Sequence, residues 1–172
     1  AQARFARAAF GGAGHLIGTG ASHRAGLMTD STKLADLAGN WVLDSYDGDI
    51  NNYLTEMGLG MVGRNIAWGL NYGVGTRKLS IALNDGLVSI TSDQSSGINT
   101  QANLKLDGTS QETTHLVDGT PQMVKPSWDG ETLIVEDDVA IVKRRVVGEE
   151  LIVENRIKDK DDVWAKFIFK RV

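Results

Sequence analysis

Apolar residues recur along the chain with two different spacings, and the change of spacing marks the secondary structure. A first helix is indicated by four apolar residues three and four positions apart, Ile50, Tyr53, Leu54 and Met57. The glycines of 58–60 end this helix, and a second helix of similar phase is indicated by Val62, Ile66, Gly69 and Leu70. We therefore predict two short consecutive helices near the start of the regular structure.

Strand-like segments occupy the rest of the chain from residue 37 onward. Each is short, and the turn that follows often contains Asp-Gly, a pair that tolerates the left-handed turn conformation. Ten strands are predicted, over 37–45, 77–83, 87–91, 98–106, 111–117, 122–127, 132–136, 139–147, 151–157 and 163–171. Strands joined by such turns at about ten-residue spacing predict an all-β antiparallel barrel or sandwich.

The alternation within the last three strands predicts which side chains face the interior. In the last strand Phe167 and Phe169 share the apolar face, and the lysines lie on the other face. The strand before it places Asn155 on its apolar face. The strand before that has one cation, Arg144, on one face and two cations on the other, so we expect Arg144 to be the inward one.

The composition is that of a soluble single-domain protein. The 172 residues suffice for one core, and 41% of them are hydrophobic and 23% charged. No apolar run approaches the roughly 18 residues of a membrane-spanning helix, so we expect no such helix. Cysteine is absent, which excludes disulfides, thiolate metal sites and cysteine nucleophiles, and which fits a reducing compartment.

Residues 1–27 differ from the rest of the chain. They are rich in Ala, Gly, Arg and Ser, show no apolar periodicity, and contain arginines but no acidic residue. An organellar transit sequence has this composition, and so does vector or untranslated sequence read through by chance. We interpret 1–27 as a disordered leader or added segment and assign the folded domain to 28–172. A chain begun at Met28 is therefore expected to melt at the same temperature as the full chain.

Charge and residue chemistry exclude several classes of function. The domain after the leader is acidic and has no basic stripe, which argues against nucleic acid as a partner. The only histidines are His15, His23 and His115, too few for a histidine metal site or a Ser-His-Asp set. Residues 58–63 match the letters of a dinucleotide fingerprint, but a helix precedes them, so we interpret these glycines as a helix–helix turn. We expect no enzyme activity, no metal and no cofactor.

A helix pair after the first strand of an otherwise all-β chain resembles the intracellular fatty-acid-binding protein family, which includes the cellular retinoid carriers. Short motifs carry the resemblance in the family's order: Gly39-x-Trp41, Tyr53, Gly58-x-Gly60-x-x-x-Arg64, Asn99-Thr100, Leu104-Lys-Leu106 and Phe169-Lys-Arg-Val172. The resemblance covers 37–172. It implies a ten-stranded antiparallel up-and-down β-barrel of the calycin type with a helix-turn-helix lid.

The resemblance also implies a binding site inside the barrel. The family holds a ligand carboxylate with an inward Arg and with an Arg-x-Tyr pair near the C-terminus. Arg144 matches the inward Arg, whereas Phe167 and Phe169 stand where the pair is expected. We predict ligand contacts from six residues: Arg144, Phe167, Phe169, Tyr53, Ile50 and Asn155.

A buried arginine destabilises a protein unless an anion matches its charge, and a carboxylate fits the planar guanidinium. We therefore hypothesise a monomeric cytoplasmic carrier of long-chain fatty acids or related hydrophobic carboxylic acids, with transient membrane contact through the lid. Arg144 could instead pair with Asn155 or with ordered water, and the lid residues could simply seat the helix on the barrel. Two other functions stay open, a structural protein whose barrel is filled by side chains and a lipid-handling enzyme on the same barrel.

Overall fold

The computed structural model describes residues 32–84, 86–94 and 99–172. The segment 1–27 and the predicted domain start at Met28 lie outside these residues, so the expectations about them remain predictions. Within the described residues, ten antiparallel strands form one sheet: β1 (Gly39–Gly48), β2 (Lys78–Asn84), β3 (Leu87–Asp93), β4 (Asn99–Lys105), β5 (Gln111–Thr114), β6 (Pro121–Trp128), β7 (Leu133–Glu136), β8 (Ala140–Val147), β9 (Glu150–Ile157) and β10 (Trp164–Arg171).

A helical lid lies between β1 and β2. It consists of α2 (Ile50–Glu56), α3 (Met61–Gly69) and one 3₁₀ turn (Asn71–Gly73), while α1 (residues 32–37) precedes β1. Asp49 caps α2 by accepting a hydrogen bond from the Asn52 N–H (2.9 Å). Gly58, at φ +81°, turns the chain between the two helices, as the sequence predicts. None of the helices in the described part of the chain is long and apolar enough to cross a membrane.

The sheet curls into a nearly closed up-and-down barrel. Its strand order is β4-β3-β2-β1-β10-β9-β8-β7-β6-β5, so β1 pairs with β10 and the two end strands are β4 and β5. These end strands share no backbone ladder, but side chains span the gap. Thr100 Oγ1 and Gln94 Nε2 donate to the carbonyl oxygen of Leu116 at 2.8 and 2.9 Å. The ten-stranded barrel with a lid, predicted from the sequence, is confirmed.

The motifs Gly39-x-Trp41 and Phe169-Lys-Arg-Val172 meet at the closed end of the barrel. The buried Trp41 ring lies under the Arg171 guanidinium, whose carbon is 4.2 Å from the ring centroid. Arg171 also donates to two carbonyl oxygens at the end of α1 (both 2.8 Å), and the Trp41 indole donates to the Leu37 carbonyl (3.0 Å). Residue 39 must be glycine because its φ is +141° and because a Cβ there would collide with the Arg171 guanidinium.

Several predicted strand boundaries differ from the observed ones, and for two of them the contacts give the reason. Leu37, predicted to begin the first strand, lies in α1, where its carbonyl binds Trp41 and its side chain is buried. The fifth strand ends at Thr114 rather than at residue 117, because Asp118 organises a turn. The Asp118 carboxylate lies 2.8 Å from Nδ1 of His115 and accepts the Thr120 N–H at 3.0 Å.

Candidate functional site

A cavity of about 420 Å³ lies between the barrel and the lid. Its walls are mostly aliphatic and aromatic, as in pockets that bind apolar small molecules. The lid contributes Ile50, Tyr53, Leu54 and Met57, and the barrel contributes Leu79, Ile90, Leu104, Val153, Phe167 and Phe169. The cavity is therefore not filled by the side chains of the barrel.

Arg144 projects into this cavity from β8. It pairs with Leu133 on one neighbouring strand and with Val153 on the other, and only 8% of its surface is exposed. Within the described residues its Nε has no hydrogen-bond partner. Burial, with a smaller contribution from Arg77, lowers the pKa of Arg144 to about 10. The guanidinium therefore remains charged at neutral pH, and no carboxylate of the described residues forms an ion pair with it.

A second arginine, Arg77, lines the same cavity, and it is not among the six site residues predicted from the sequence. Its guanidinium carbon lies 5.4 and 6.0 Å from the ring centroids of Phe167 and Phe169. The residue keeps some accessible surface, but its Nε is covered and has no partner within the described residues. Burial lowers the pKa of this guanidinium as well, and the Tyr53 hydroxyl opposes that shift.

The chain reaches Arg77 through a tight turn after the 3₁₀ turn. The Arg77 N–H donates to the Gly73 carbonyl (2.7 Å), and the Arg77 carbonyl accepts from the Leu43 N–H (2.9 Å). Gly73 has φ +88°, and a Cβ on it would lie 2.9 Å from the Arg77 Cβ. One signal in the sequence could have identified Arg77. It lies two residues before Leu79, whose side chain is buried, and residues two apart in a strand share a face.

Phe167 and Phe169 lie inside the barrel, with 6% and 1% of their surfaces exposed, as the alternation in the last strand predicts. Their rings occupy the place where the family's Arg-x-Tyr pair is expected, and the Arg77 guanidinium lies over both of them. Among the described residues two guanidinium groups line the cavity, and one of them comes from the connection between β1 and β2 instead of from β10. Contact of either ring with a ligand remains a prediction.

The other predicted site residues also line the cavity. Ile50 and Tyr53 are the buried residues of α2. Burial raises the pKa of the Tyr53 phenol to about 12, although Arg77 and Arg144 act in the opposite direction. Asn155 Nδ2 donates to the Ala165 carbonyl (3.5 Å), which is a long hydrogen bond. No hydrogen bond between Asn155 and Arg144 occurs, so the structure does not support that alternative.

The cavity's acidic residues, among those described, are engaged elsewhere. Asp137 Oδ1 accepts the N–H groups of Val139 and Ala140, both at 2.7 Å. Asp118 holds the turn that ends β5, and it lies beside His115 at the rim. His115 and Asp118 form an acid and base couple among the described residues that line the cavity, and the Thr120 hydroxyl shares the same Asp118 oxygen (2.7 Å). The described residues contain no cluster of three metal-ligating side chains.

Comparisons with known proteins were made by sequence and by structure. No family model matches the chain, and no curated protein matches it. A mutant of the fatty acid transporter REP1-NXSQ is 26% identical and has a TM-score of 0.67, with 80% of this chain and 99% of that chain covered. Human cRBP IV is 20% identical and has a TM-score of 0.64, with 79% of this chain and 98% of that chain covered. The Schistosoma mansoni fatty acid binding protein in complex with arachidonic acid is 14% identical and has a TM-score of 0.66, with 81% of this chain and 98% of that chain covered. Together with the ten-stranded barrel and its helical lid, these likenesses show that the chain has the fold of the intracellular lipid-binding proteins.

Proposed function

We propose that this protein binds and carries long-chain fatty acids or related hydrophobic carboxylic acids in its cavity, as a cytoplasmic monomer. The observation that carries the proposal is Arg144, a buried guanidinium in an apolar cavity whose Nε has no hydrogen-bond partner within the described residues. Two of the solved structures are described as a fatty acid transporter and as a fatty acid binding protein with arachidonic acid, which supports the same class of ligand.

The energetics favour an amphiphile over a small anion. A guanidinium binds a carboxylate through two parallel hydrogen bonds, which fixes the headgroup. The apolar walls contribute about 0.8 kcal/mol for each buried methylene, so a long chain gains roughly 10 kcal/mol before the cost of association. The charge therefore orients the ligand, and the chain supplies most of the affinity.

The same geometry weighs against the two other functions. A barrel that served only as a structural element would have its interior filled, whereas a cavity of about 420 Å³ remains beside Phe167 and Phe169. An enzyme would need an acid and base pair aimed at a reacting atom. His115 and Asp118 are a pair at the rim, but the Asp118 carboxylate is used by the backbone and hydroxyl of Thr120 in a turn.

Native mass spectrometry tests the proposal directly. We expect the purified full chain to carry a co-bound fatty acid, and the delipidated chain to rebind one palmitate per monomer. Hexadecanol, which matches the chain length without the charge, should bind at least roughly tenfold more weakly, a difference of about 1.4 kcal/mol. Equal affinity for acid and alcohol, or no binding of either one, would contradict the proposal.

We also propose that α3 contacts membranes during ligand transfer. No residue of α3 is buried, and its apolar side chains are exposed together with the residue that follows it: Met61, Val62, Ile66, Trp68 and Leu70. Two of them, Ile66 and Leu70, also line the cavity, so this exposed apolar surface adjoins it. An apolar helix face beside a cavity mouth suits transient insertion into a zwitterionic bilayer, since an acidic protein is repelled by anionic lipids.

Replacing Met61 and Val62 together with serine should slow transfer of a fluorescent fatty acid to phosphatidylcholine vesicles by roughly tenfold, because about 1 kcal/mol or more of apolar burial is lost. Neither residue lines the cavity, so the equilibrium affinity should not change. The matched control replaces Met123 and Val147, which are exposed on the barrel, with serine. Equal transfer rates for the lid variant and the control would contradict membrane contact through α3.

A further inference from the structure

We infer that Arg77 is a second headgroup-binding residue and that Arg77 and Arg144 together select single-chain amphiphiles whose headgroup carries two negative charges. A phosphate monoester is the chemical class that fits. This inference rests on the proposed function, because it assigns the headgroup end of the same cavity.

The register of the strands brings the two arginines to one headgroup site. Arg144 pairs with Val153 on β9, and Val153 pairs with Phe167 on β10. Two strand spacings, about 10 Å, therefore separate Arg144 from Phe167 along the wall. The Arg77 guanidinium lies over the Phe167 ring, 5.4 Å from its centroid, and both arginines line the same cavity. The charge of Arg77 also acts on Arg144, so we expect an anion between them to be within reach of both side chains.

The charge balance at this site is unusual. No ion pair joins either arginine to a carboxylate in the described part of the chain. The phenylalanine rings stabilise Arg77 by about 0.5–2 kcal/mol. That gain is smaller than the several kcal/mol lost when a charge is buried without a partner. A monoanionic carboxylate would leave one of the two cations unmatched.

A phosphate monoester would match both cations. Its charge at neutral pH is about −1.5 to −2, and its three oxygens can accept hydrogen bonds from two guanidinium groups at once. The apolar cavity would hold the alkyl chain, as it would for a fatty acid. Free inorganic phosphate has the same headgroup chemistry but gains no affinity from the apolar walls. The ligand that we infer therefore includes an alkyl chain.

The test compares hexadecyl phosphate, palmitate and hexadecanol on the delipidated full chain by titration calorimetry. We expect the wild type to bind hexadecyl phosphate roughly tenfold more tightly than palmitate, or about 1.4 kcal/mol. The preference should shrink as the pH falls through about 6, where the phosphate takes up its second proton. Tighter or equal binding of palmitate would overturn the inference. Displacement of hexadecyl phosphate by equimolar inorganic phosphate would overturn the amphiphile assignment.

Variants of Arg77 separate charge from packing. Arg77→Gln should abolish the preference for hexadecyl phosphate, whereas Arg77→Lys, which keeps the charge, should retain it. The control is Lys78→Gln, on the next residue, which is exposed on the outer face of β2 and should change nothing. An equal loss of affinity for all three ligands in Arg77→Gln would assign Arg77 to packing and overturn the inference.

The outcomes distinguish this inference from the proposed function. If palmitate does not bind, while hexadecyl phosphate binds and its affinity depends on Arg77, then the proposed binding of carboxylic acids is wrong and the inference holds. If palmitate binds better than hexadecanol in both the wild type and Arg77→Gln, with no preference for the phosphate, the proposed function holds and the inference fails.

Discussion

Replacing Arg144 with methionine is expected to stabilise the ligand-free protein and to weaken palmitate binding at the same time. Exchanging buried ionic groups for hydrophobic residues of similar size often stabilises a protein by about 1–4 kcal/mol. For a domain of this size the melting temperature should rise by about 2–4 °C per kcal/mol. Palmitate should bind roughly 30-fold more weakly or worse, because loss of one partner of a buried charged hydrogen bond costs about 2–5 kcal/mol.

The neighbouring residue provides the control. Arg145 lies on the outer face of β8 and donates to Glu154 Oε1 at 2.9 Å, with about two fifths of its side chain exposed (39%). Arg145→Met should therefore lower the free energy of unfolding by no more than about 1 kcal/mol and leave palmitate affinity unchanged. The headgroup role of Arg144 would be wrong if Arg144→Met weakened palmitate and hexadecanol equally.

Opposite signs for stability and affinity would be informative about the cavity. Replacing a residue that serves only the fold lowers the stability of the protein. Replacing a ligand-binding residue that destabilises the ligand-free fold raises it. Arg144 is a buried cation and Arg77 a partly buried one, and the Nε of each has no hydrogen-bond partner among the described residues. The ten-stranded ladder and the apolar core offset the free-energy cost of burying these guanidinium groups. A bound anion would remove that cost and so stabilise the folded protein.

The strands and the lid could be predicted from the sequence because their patterns are local. Two-residue alternation distinguishes the two faces of β10, and the same alternation correctly places Phe167, Phe169 and Asn155 inside. The helix pair follows from apolar residues at helical spacing. Asp-Gly pairs mark turns, because glycine adopts a positive φ without strain, as Gly108 and Gly119 do.

The features that the sequence did not reveal depend on contacts between distant segments. Arg77 stands at the start of the strand predicted over 77–83, and only the packed turn before it in the structure shows that its guanidinium lines the cavity. Helical spacing predicts α2 and α3 equally well, yet α2 buries Ile50 and Tyr53 whereas α3 buries nothing. Periodicity identifies an apolar face but does not say whether another element covers it.

Replacing Trp41 with alanine should produce the largest loss of stability. The side chain is fully buried (0% exposed), its indole donates to the Leu37 carbonyl at 3.0 Å, and the Arg171 guanidinium covers its ring. Loss of a buried tryptophan costs about 3–5 kcal/mol. At about 2–4 °C per kcal/mol, the melting temperature should fall by roughly 10 °C, as measured by calorimetry on the full chain.

Trp68→Ala is the matched control, because Trp68 is 72% exposed on α3. Its free energy of unfolding should change by no more than about 0.5 kcal/mol. A similar loss of unfolding free energy in both variants would mean that burial of a tryptophan does not decide how much it stabilises this protein. A large loss confined to Trp41→Ala would instead show that the closed end, where α1, β1 and the last strand meet, holds the barrel together. The lid end would then be free to open without unfolding the barrel, because its α3 helix buries no residue.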